Sequence, residues 1–417
     1  MQYYQLDASN LLGFLRSLPE MTTLFSSFEQ LEVQEITDGN MNFAFIVTNS
    51  QAPNQTVFIK QSPPYIKVMG EDWPLTQDRM TAEMNTLNYH QSVCPEMVPK
   101  VYFQSESMST IVIESLAQYD ILRTQLIAGK TLPALADNLA NFLAKSLFYS
   151  SGLFLSSAQQ SELINKSANQ AMCEITEQFV FTYPFEHHEM NDYNPELPQS
   201  VIDSIQKDPL VRAHVAQMKY LFTSKKEALI HGDLHTGSIM VSEQQSYVID
   251  AEFSFVGPMG FDLGALLGNL YLNYFSHAYK PDPESQKYSD WLLHTIDQLW
   301  QKFTDQFGGL WQQHDQSAQS AFMGNDLSGD THETFRQVFL QQLLTDSIGF
   351  AACKMLRRIL GVAKVADLMQ FDDLKLRAKL ETQAITMAKH ILLNRHSYKD
   401  MSAINALAKQ LSQGKTD

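Results

Sequence analysis

The chain has 417 residues, of which 44% are hydrophobic and 18% charged, and its 46 acidic and 30 basic side chains give a formal charge of -16. This composition is typical of a soluble globular protein with two domains or two lobes. The acidic balance argues against nucleic acid as the main partner, because a phosphate backbone is bound by a basic surface.

The first third of the chain has the pattern of a β-rich region with one helix. Its apolar runs of strand type read LEVQEIT, FAFIVTN, TVFIKQ and STIVIES. The first two flank the turn-rich segment DGNMN (residues 38–42), which predicts an antiparallel pair. Residues 78–93 have helical composition, with apolar side chains at helical spacing.

The composition changes beyond residue 120, where long amphipathic helices are predicted. Three of them cover LPALADNLANFLAKSLFYSSG, DWLLHTIDQLWQKFTDQF and residues 335–365, the last interpreted as one helix or as two helices broken at Gly349. A β-type island with the runs ALI, SIMVS and SYVID lies among these helices. We therefore predict an α+β fold with a β-rich lobe (1–113), a hinge (114–120) and a mainly helical lobe (121–417).

The segment HGDLHTGS, at residues 231–238, carries an aspartate in a predicted tight turn. Gly232 lets the backbone turn sharply, which would present Asp233 at the tip of a loop. A carboxylate in this place accepts a proton from a substrate hydroxyl or holds the hydroxyl in line with a phosphate. The alternative is a structural turn in which Asp233 bonds its own backbone.

Two more carboxylates follow in the segment SYVIDAEF. On a strand, Asp250 and Glu252 project to one side and Ala251 to the other. Such a pair repels unless a cation joins it, and Mg²⁺ or Mn²⁺ prefers oxygen ligands of this kind. The alternative is a solvated strand end. Together with Asp233, the pair predicts a phosphoryl-transfer site.

These two motifs together resemble the catalytic loop and metal motif of small-molecule kinases with a protein-kinase-like fold. That group includes aminoglycoside phosphotransferases and choline kinases. The motif HGDLHTGS…DAEFSFVGPMGFDLG resembles the methylthioribose kinase family, and so do the segments DGNMNFAF, WPLTQDR and RRILGVAKVAD. Ser238 stands where the broader group has a metal-binding Asn, so whether a second metal ion binds is left open. Ser238 and Glu252 both depart from the broader pattern in the way this family does.

The resemblance implies ATP and Mg²⁺ as cofactors. The residues that it implies for the nucleotide are Asn40, Lys60, Glu83, Glu114, Ser115, Leu116, Asp250, Ala251 and Glu252, with Asp250 and Glu252 as the metal ligands. Lys60 would reach the α- and β-phosphates, oriented by Glu83 or by its competitor Glu71. The hinge would meet adenine through backbone groups.

For the acceptor, the resemblance implies Asp233, Arg357, Arg358 and Trp73. Neighbours on a helix diverge by about 100°, so at most one arginine of the pair faces solvent. The residues alone favour an inter-helix salt bridge for the pair, whereas in the family paired arginines contact the sugar. Trp73 precedes Pro74, which predicts a loop that resembles the family's substrate-closing loop. Packing on the lobe surface is its alternative.

The implied reaction is transfer of the γ-phosphate of ATP to the anomeric hydroxyl of 5-methylthioribose, in methionine salvage. The alternatives are a kinase for another small alcohol, such as choline, an aminoglycoside or homoserine, and a nucleotide-binding pseudokinase. Three separated cysteines, no signal-peptide pattern and no long apolar run predict a cytoplasmic protein without a membrane span. The family also implies a homodimer.

Overall fold

The amino-terminal region is built from antiparallel strands, as its apolar runs predict. The structure is a computed structural model and describes residues 2–37, 41–314 and 329–414. The strands here are β1 (Leu31–Ile36), β2 (Phe43–Asn49), β3 (Ala52–Gln61), β4 (Tyr65–Ile66), β5 (Gly70–Pro74), β6 (Val101–Ser105) and β7 (Thr110–Glu114). Five of them form an antiparallel sheet in the order β1-β2-β3-β7-β6, and β4 pairs with β5 in a separate hairpin.

Helices cover both faces of this sheet. The short helices α1 (Leu11–Arg16) and α2 (Pro19–Leu24) share an apolar cluster with strand residues that include Phe45 and Ile59. Because side chains alternate along a strand, Lys60 points to the opposite face. That face is covered by α3 (Asp78–Val93), which has the predicted bounds.

The remainder of the chain is mainly helical. Its helices are α4 (Leu122–Ile127), α5 (Leu135–Tyr149), α6 (Ser157–Lys166), α7 (Gln170–Phe181), α8 (Gln199–Gln206), α9 (Pro209–Ser224), α10 (Met259–Ala278), α11 (Pro283–His314), α12 (Gly329–Leu360), α13 (Ala366–Met369), α14 (Leu374–Asn394) and α15 (Ser402–Ser412). Short 3-10 turns occur at Pro95–Met97, Tyr183–Phe185 and Arg395–Ser397. Within the described ranges, no helix combines the length and apolar character that a membrane crossing requires.

A small β island lies among these helices, as predicted. Its strands are β8 (Asp120–Ile121), β9 (Ala228–Ile230), β10 (Ile239–Val241), β11 (Ser246–Val248) and β12 (Phe255–Gly257). They form a sheet in the order β11-β10-β8 and a separate β12-β9 pair. The chain passes from the five-stranded sheet to this island over residues 115–119, which overlap the predicted hinge. The predicted α+β, two-lobed class is confirmed.

The close packing of α10 against α12 determines the geometry of the carboxy-terminal region. A Cβ on Gly264 of α10 would lie 2.6 Å from the carbonyl oxygen of Ser347 in α12, so the two backbones almost touch. The predicted break at Gly349 is wrong, because α12 runs unbroken through it. A Cβ at Gly349 would meet the Met218 sulfur at 2.5 Å, so this glycine makes room for a neighbouring helix rather than ending its own.

The prediction that Trp73 lies in a loop is also wrong. Trp73 belongs to β5, the second strand of the β4–β5 hairpin, and its side chain is 44% exposed. The residue before a proline favours the extended region, and a proline is tolerated at a strand edge, so a Trp-Pro pair suits this strand end.

Candidate active site

The loop that carries Asp233 joins β9 to β10 and is held by backbone hydrogen bonds. The amide of His231 donates to Asp262 Oδ2 at 2.6 Å, and the amide of Gly232 donates to Oδ1 at 3.0 Å. Gly232 has φ +83°, and a Cβ there would lie 2.1 Å from the carbonyl oxygen of Phe253, so another residue would displace the loop. Asp262, in the first turn of α10, therefore fixes the position of Asp233.

The carboxylate of Asp233 is contacted from two directions. Lys354 Nζ, on α12, donates to Oδ1 at 2.8 Å, and His235 Nε2 lies 3.4 Å from Oδ2. Burial raises the pKa of Asp233, but Lys354, His235 and the arginines of α12 lower it by more. The pKa therefore lies well below its usual range. Asp233 is therefore an ionised carboxylate, as a proton acceptor requires.

Arg357 and Arg358 lie one turn beyond Lys354 on the same helix. Arg358 is 7% exposed and Arg357 is half-buried, so neither arginine projects fully into solvent. In the described part of the chain, no carboxylate oxygen lies within 4.0 Å of either guanidinium, and Nε of both has no hydrogen-bond partner. Burial is the main cause that lowers the pKa of both groups. The salt-bridge alternative is thus not what the structure shows.

Lys60 lies on the other side of the cleft, between two carboxylates. Its Nζ donates to Glu83 Oε1 at 2.9 Å and Oε2 at 2.7 Å, and it also contacts Asp250 Oδ1. Burial lowers the pKa of Lys60, but Asp250 and Glu83 raise it more strongly, so the ammonium stays charged. Glu71, the competing partner, is exposed on the β4–β5 hairpin.

Asp250 and Glu252 converge on the cleft, but not by strand alternation. The expected continuation of the strand through residue 252 is wrong, because β11 ends at Val248 and Asp250 has φ +68°. Glu252 is 3% exposed, and its Oε2 accepts a hydrogen bond from Asn42 Nδ2 at 2.8 Å. Arg79 Nε lies 3.7 Å from the same oxygen. Contacts from the amino-terminal lobe, rather than the pleat of a strand, therefore orient Glu252.

The two sides of the site are joined directly. His231 Nε2 and the carbonyl oxygen of Ile249 are 2.8 Å apart, which ties the Asp233 loop to the segment that carries Asp250. A cavity is lined by residues of both segments and of the amino-terminal lobe, including Glu83, His231, Asp250 and Ala251. The loop that carries Asp233 and the segment that carries Asp250 therefore lie side by side.

Comparisons with known proteins give the chain's relatives. Residues 32–291 match the APH phosphotransferase enzyme family. Methylthioribose kinase 1 of Oryza sativa subsp. japonica is 35% identical over 405 residues, which cover 96% of this chain and 94% of the relative. A methylthioribose kinase of Bacillus cereus is 39% identical over 381 residues, 91% of each chain. The chain belongs to the methylthioribose kinase family.

Membership of the phosphotransferase enzyme family confirms the predicted kinase-like fold. Among solved structures, glucosamine kinase in complex with glucosamine, ADP and inorganic phosphate matches with a TM-score of 0.47 and 12% identity. That match covers 92% of this chain and 86% of the other. A similarity this low bears on neither substrate nor mechanism.

The residues present fit a magnesium ion. Mg²⁺ is commonly held by one or two carboxylates, with water and substrate phosphates completing its shell. Asp250 matches this role, since its side chain is 49% exposed and borders the cavity. Oε2 of Glu252 accepts the hydrogen bond from Asn42, which leaves Oε1 as the oxygen that could bind the ion. No cluster of three or more candidate metal-binding side chains occurs in residues 2–37, 41–314 and 329–414, so the protein would supply only part of the shell.

Several predicted site residues are not brought into direct contact with this cluster. Glu114 ends β7, and its carboxylate accepts from the amide of Lys100 at 3.2 Å. Ser115 and Leu116 follow at the start of the connection between the lobes and are buried. Trp73 lies on its exposed hairpin. Asn40 lies outside the described residues.

The sequence interpretation missed Lys354, Asn42, Arg79 and Asp262. Lys354 had a detectable signal, because it precedes Arg357 and Arg358 by three and four residues, the spacing that places side chains on one helix face. Ser238 also gains a role. Its hydroxyl donates to the Asp233 carbonyl at 3.1 Å and lies 3.1 Å from His235 Nδ1, so it stabilises the loop from inside.

Proposed function

We propose that the protein transfers the γ-phosphate of ATP to the anomeric hydroxyl of 5-methylthioribose, giving 5-methylthioribose 1-phosphate and ADP in methionine salvage. The identity of 35–39% to methylthioribose kinases over more than 90% of the chain supports the substrate. The observation that carries the chemistry is the ionised Asp233 on a loop that is hydrogen-bonded to the segment of Asp250, the carboxylate that contacts Lys60.

In this reaction Asp233 accepts the proton of the anomeric hydroxyl. The hydroxyl oxygen forms a bond to the γ-phosphorus, while the bond from that phosphorus to the β–γ bridging oxygen breaks and ADP leaves. Asp233 orients the oxygen for in-line attack, and positioning and charge neutralisation supply most of the rate enhancement.

Lys60, held by Glu83, positions the α- and β-phosphates. Asn40 contributes an amide to the phosphates, and backbone groups of residues 114–116 bind adenine, with Ala251 lining the nucleotide side. A magnesium ion, when bound by Asp250 and Glu252, neutralises charge on the phosphates. Lys60 supports this assignment, because its paired carboxylates keep it charged and fixed at the cleft.

Arg357 and Arg358 donate hydrogen bonds to the sugar, and Trp73 closes over it from the β4–β5 hairpin. The unpaired guanidinium nitrogens support this role, since a buried donor without a protein partner is costly unless a ligand supplies the acceptor. They also disfavour choline or an aminoglycoside, whose positive charge would face two arginines. The presence of Asp233, Asp250, Glu252 and Lys60 disfavours the pseudokinase alternative.

The domain assignment, the cytoplasmic location and a homodimeric state belong to the same proposal. Residues 114–120 serve as the hinge between the lobes, in agreement with the change of sheet between β7 and β8.

Coupled ADP release, with purified protein and Mg²⁺-ATP, tests this function on 5-methylthioribose, ribose, choline and an aminoglycoside. We expect turnover with 5-methylthioribose and none with the cationic alcohols. An Asp233→Asn variant should lose about 10²–10⁴-fold in kcat, the usual contribution of a general base. Turnover of another alcohol but not of 5-methylthioribose would contradict the substrate, and full activity of the variant would contradict the role of Asp233.

A further inference from the structure

Lys354 is a buried lysine whose hydrogen-bond partner is the proposed base. It lies in α12, its side chain is 3% exposed, and its Nζ donates to Asp233 Oδ1 at 2.8 Å. Nζ also lies 4.4 Å from the centre of the Phe261 ring, and Phe261 is fully buried in α10. A salt bridge and a cation–π contact thus hold the ammonium from two sides.

The contact distinguishes the two oxygens of Asp233. Oδ1 is occupied by Lys354, whereas the contact to Oδ2 is His235 Nε2 at 3.4 Å, beyond ordinary hydrogen-bond length. Oδ2 is therefore the oxygen that can accept a proton from an acceptor hydroxyl. Without Lys354 the carboxylate could rotate and exchange its oxygens.

The position of Lys354 is tied to the same helix pair that positions the loop. Asp262 of α10 holds the amides of His231 and Gly232, and α10 packs closely on α12 at Gly264. Lys354 therefore approaches Asp233 from an element whose distance to the loop is set by backbone packing.

We propose that Lys354 is a positioning residue for phosphoryl transfer, which fixes the Asp233 carboxylate with Oδ2 turned to the acceptor hydroxyl and keeps it ionised. This proposal rests on the proposed function, because it assigns Lys354 to the base of that reaction.

The surrounding charges support the second part of this role. The groups that face Asp233 are Lys354, Arg357 and Arg358 of α12, His235 of its own loop and Arg123 of α4. Lys354 also faces the buried Asp262 of α10. Burial lowers the pKa of Lys354 to about 8, with Arg357 and Arg358 acting in the same direction and Asp233 opposing them. Lys354 therefore carries its charge below about pH 8 and loses it progressively above that value.

The test compares Lys354→Met and Lys354→Arg with wild type, using kcat and KM for ATP and for the sugar. We expect Lys354→Met to lose about 10²-fold in kcat, the scale of a misplaced catalytic group, with little change in KM for ATP. Lys354→Arg keeps a cation beside Oδ1 and should recover much of that loss. Lys389→Met is the matched control, since Lys389 of α14 pairs with Asp208 at the start of α9 and should leave kcat unchanged.

The pH profile of kcat/KM for the sugar separates positioning from a merely structural role. In wild type, activity should fall as the pH rises through about 8, and Lys354→Arg should move this alkaline limb to higher pH. In Lys354→Met the pKa of Asp233 should rise, because one of the cations that lower it is gone, so the acidic limb should move to higher pH.

Wild-type kcat in Lys354→Met, or an unchanged pH profile in both variants, would overturn the proposal. If Lys354→Met does not fold, Lys354→Gln provides the same two measurements with a polar group at the same place. Absence of wild-type turnover with 5-methylthioribose would instead contradict the proposed function, so the two failures are distinguishable.

Discussion

The two sides of the cleft differ in how their charged side chains are paired. On the nucleotide side each named cation has a carboxylate within 4.0 Å, since Lys60 pairs with Glu83 and Asp250, and Arg79 pairs with Glu252. On the acceptor side Lys354 pairs with Asp233, but Arg357 and Arg358 have no such partner among the described residues. The first set has three carboxylates for its two cations, and the second set has an excess of positive charge.

The difference also follows the lobes. On the nucleotide side, the Lys60–Asp250 and Arg79–Glu252 pairs cross between the lobes, whereas the Lys60–Glu83 pair lies within the amino-terminal lobe. The acceptor side belongs to the helical lobe alone. Ion pairs across the lobes stabilise their association, whereas we propose that Arg357 and Arg358, which have no carboxylate partner among the described residues, bind oxygen atoms of a ligand. Stability and acceptor binding should therefore depend on different residues.

The largest expected effect comes from Lys60→Met. Removing one partner of a buried ion pair leaves an uncompensated charge, so the free energy of unfolding should fall by about 3–5 kcal/mol, and kcat/KM for ATP should fall with it. Denaturant unfolding and coupled ADP release measure the two quantities.

The double variant Lys60→Met/Glu83→Gln is the matched control for that experiment. It removes the unpaired Glu83 charge, so it should recover part of the stability while activity stays low. Recovery of activity in the double variant would show that Lys60 acts only in folding.

An intermediate effect is expected for Arg357→Gln and Arg358→Gln. A lost hydrogen bond from a charged donor is worth about 1.5–3 kcal/mol, so KM for the sugar should rise about tenfold to a hundredfold. The melting temperature should change little, because neither guanidinium has a carboxylate partner among the described residues and Arg358 loses only its hydrogen bond to the Ala363 carbonyl at 3.4 Å.

Arg377→Gln sharpens this contrast. Arg377 is a largely buried arginine that pairs with Glu381 at 3.5 Å on α14. Its replacement should lower the melting temperature and leave sugar kinetics unchanged. A lower melting temperature with unchanged sugar kinetics in Arg357→Gln would instead indicate a structural role for Arg357.

The smallest effect is expected for Gly264→Ala, which perturbs the helix pair beneath the acceptor side. A Cβ 2.6 Å from the Ser347 carbonyl overpacks the interface and should cost about 1–3 kcal/mol of unfolding free energy. Gly308→Ala in α11 is the control, because nothing lies within 4 Å of its Cβ position and alanine should add about 0.5–1 kcal/mol. Equal changes in thermal or denaturant unfolding would contradict the close approach of α10 and α12.

Local sequence patterns were enough to predict elements such as α3 and the position of Asp233. The bounds of α3 follow from its apolar spacing, and Asp233 follows from a glycine-marked turn, because both signals lie within a few neighbouring residues. The Glu83 pairing of Lys60 agrees with the expected orientation.

Features that depend on distant contacts could not be predicted. Glu252 is held by Asn42 and Arg79, which are far from it along the chain. Gly349 resembles a helix break by propensity, but its packing against Met218 keeps α12 continuous. The left-handed backbone of Asp250 has no sequence marker, since non-glycine residues rarely adopt it.

The tight turn at Gly232 limits how this protein can be re-engineered. Any side chain there would collide with the Phe253 carbonyl, so randomising residue 232 should yield misfolded variants rather than new acceptor preferences. This constraint does not apply to the exposed hairpin that carries Trp73, nor to the face of α12 that carries Arg357 and Arg358. A library aimed at other 5-substituted sugars should therefore diversify those two surfaces and leave the loop intact.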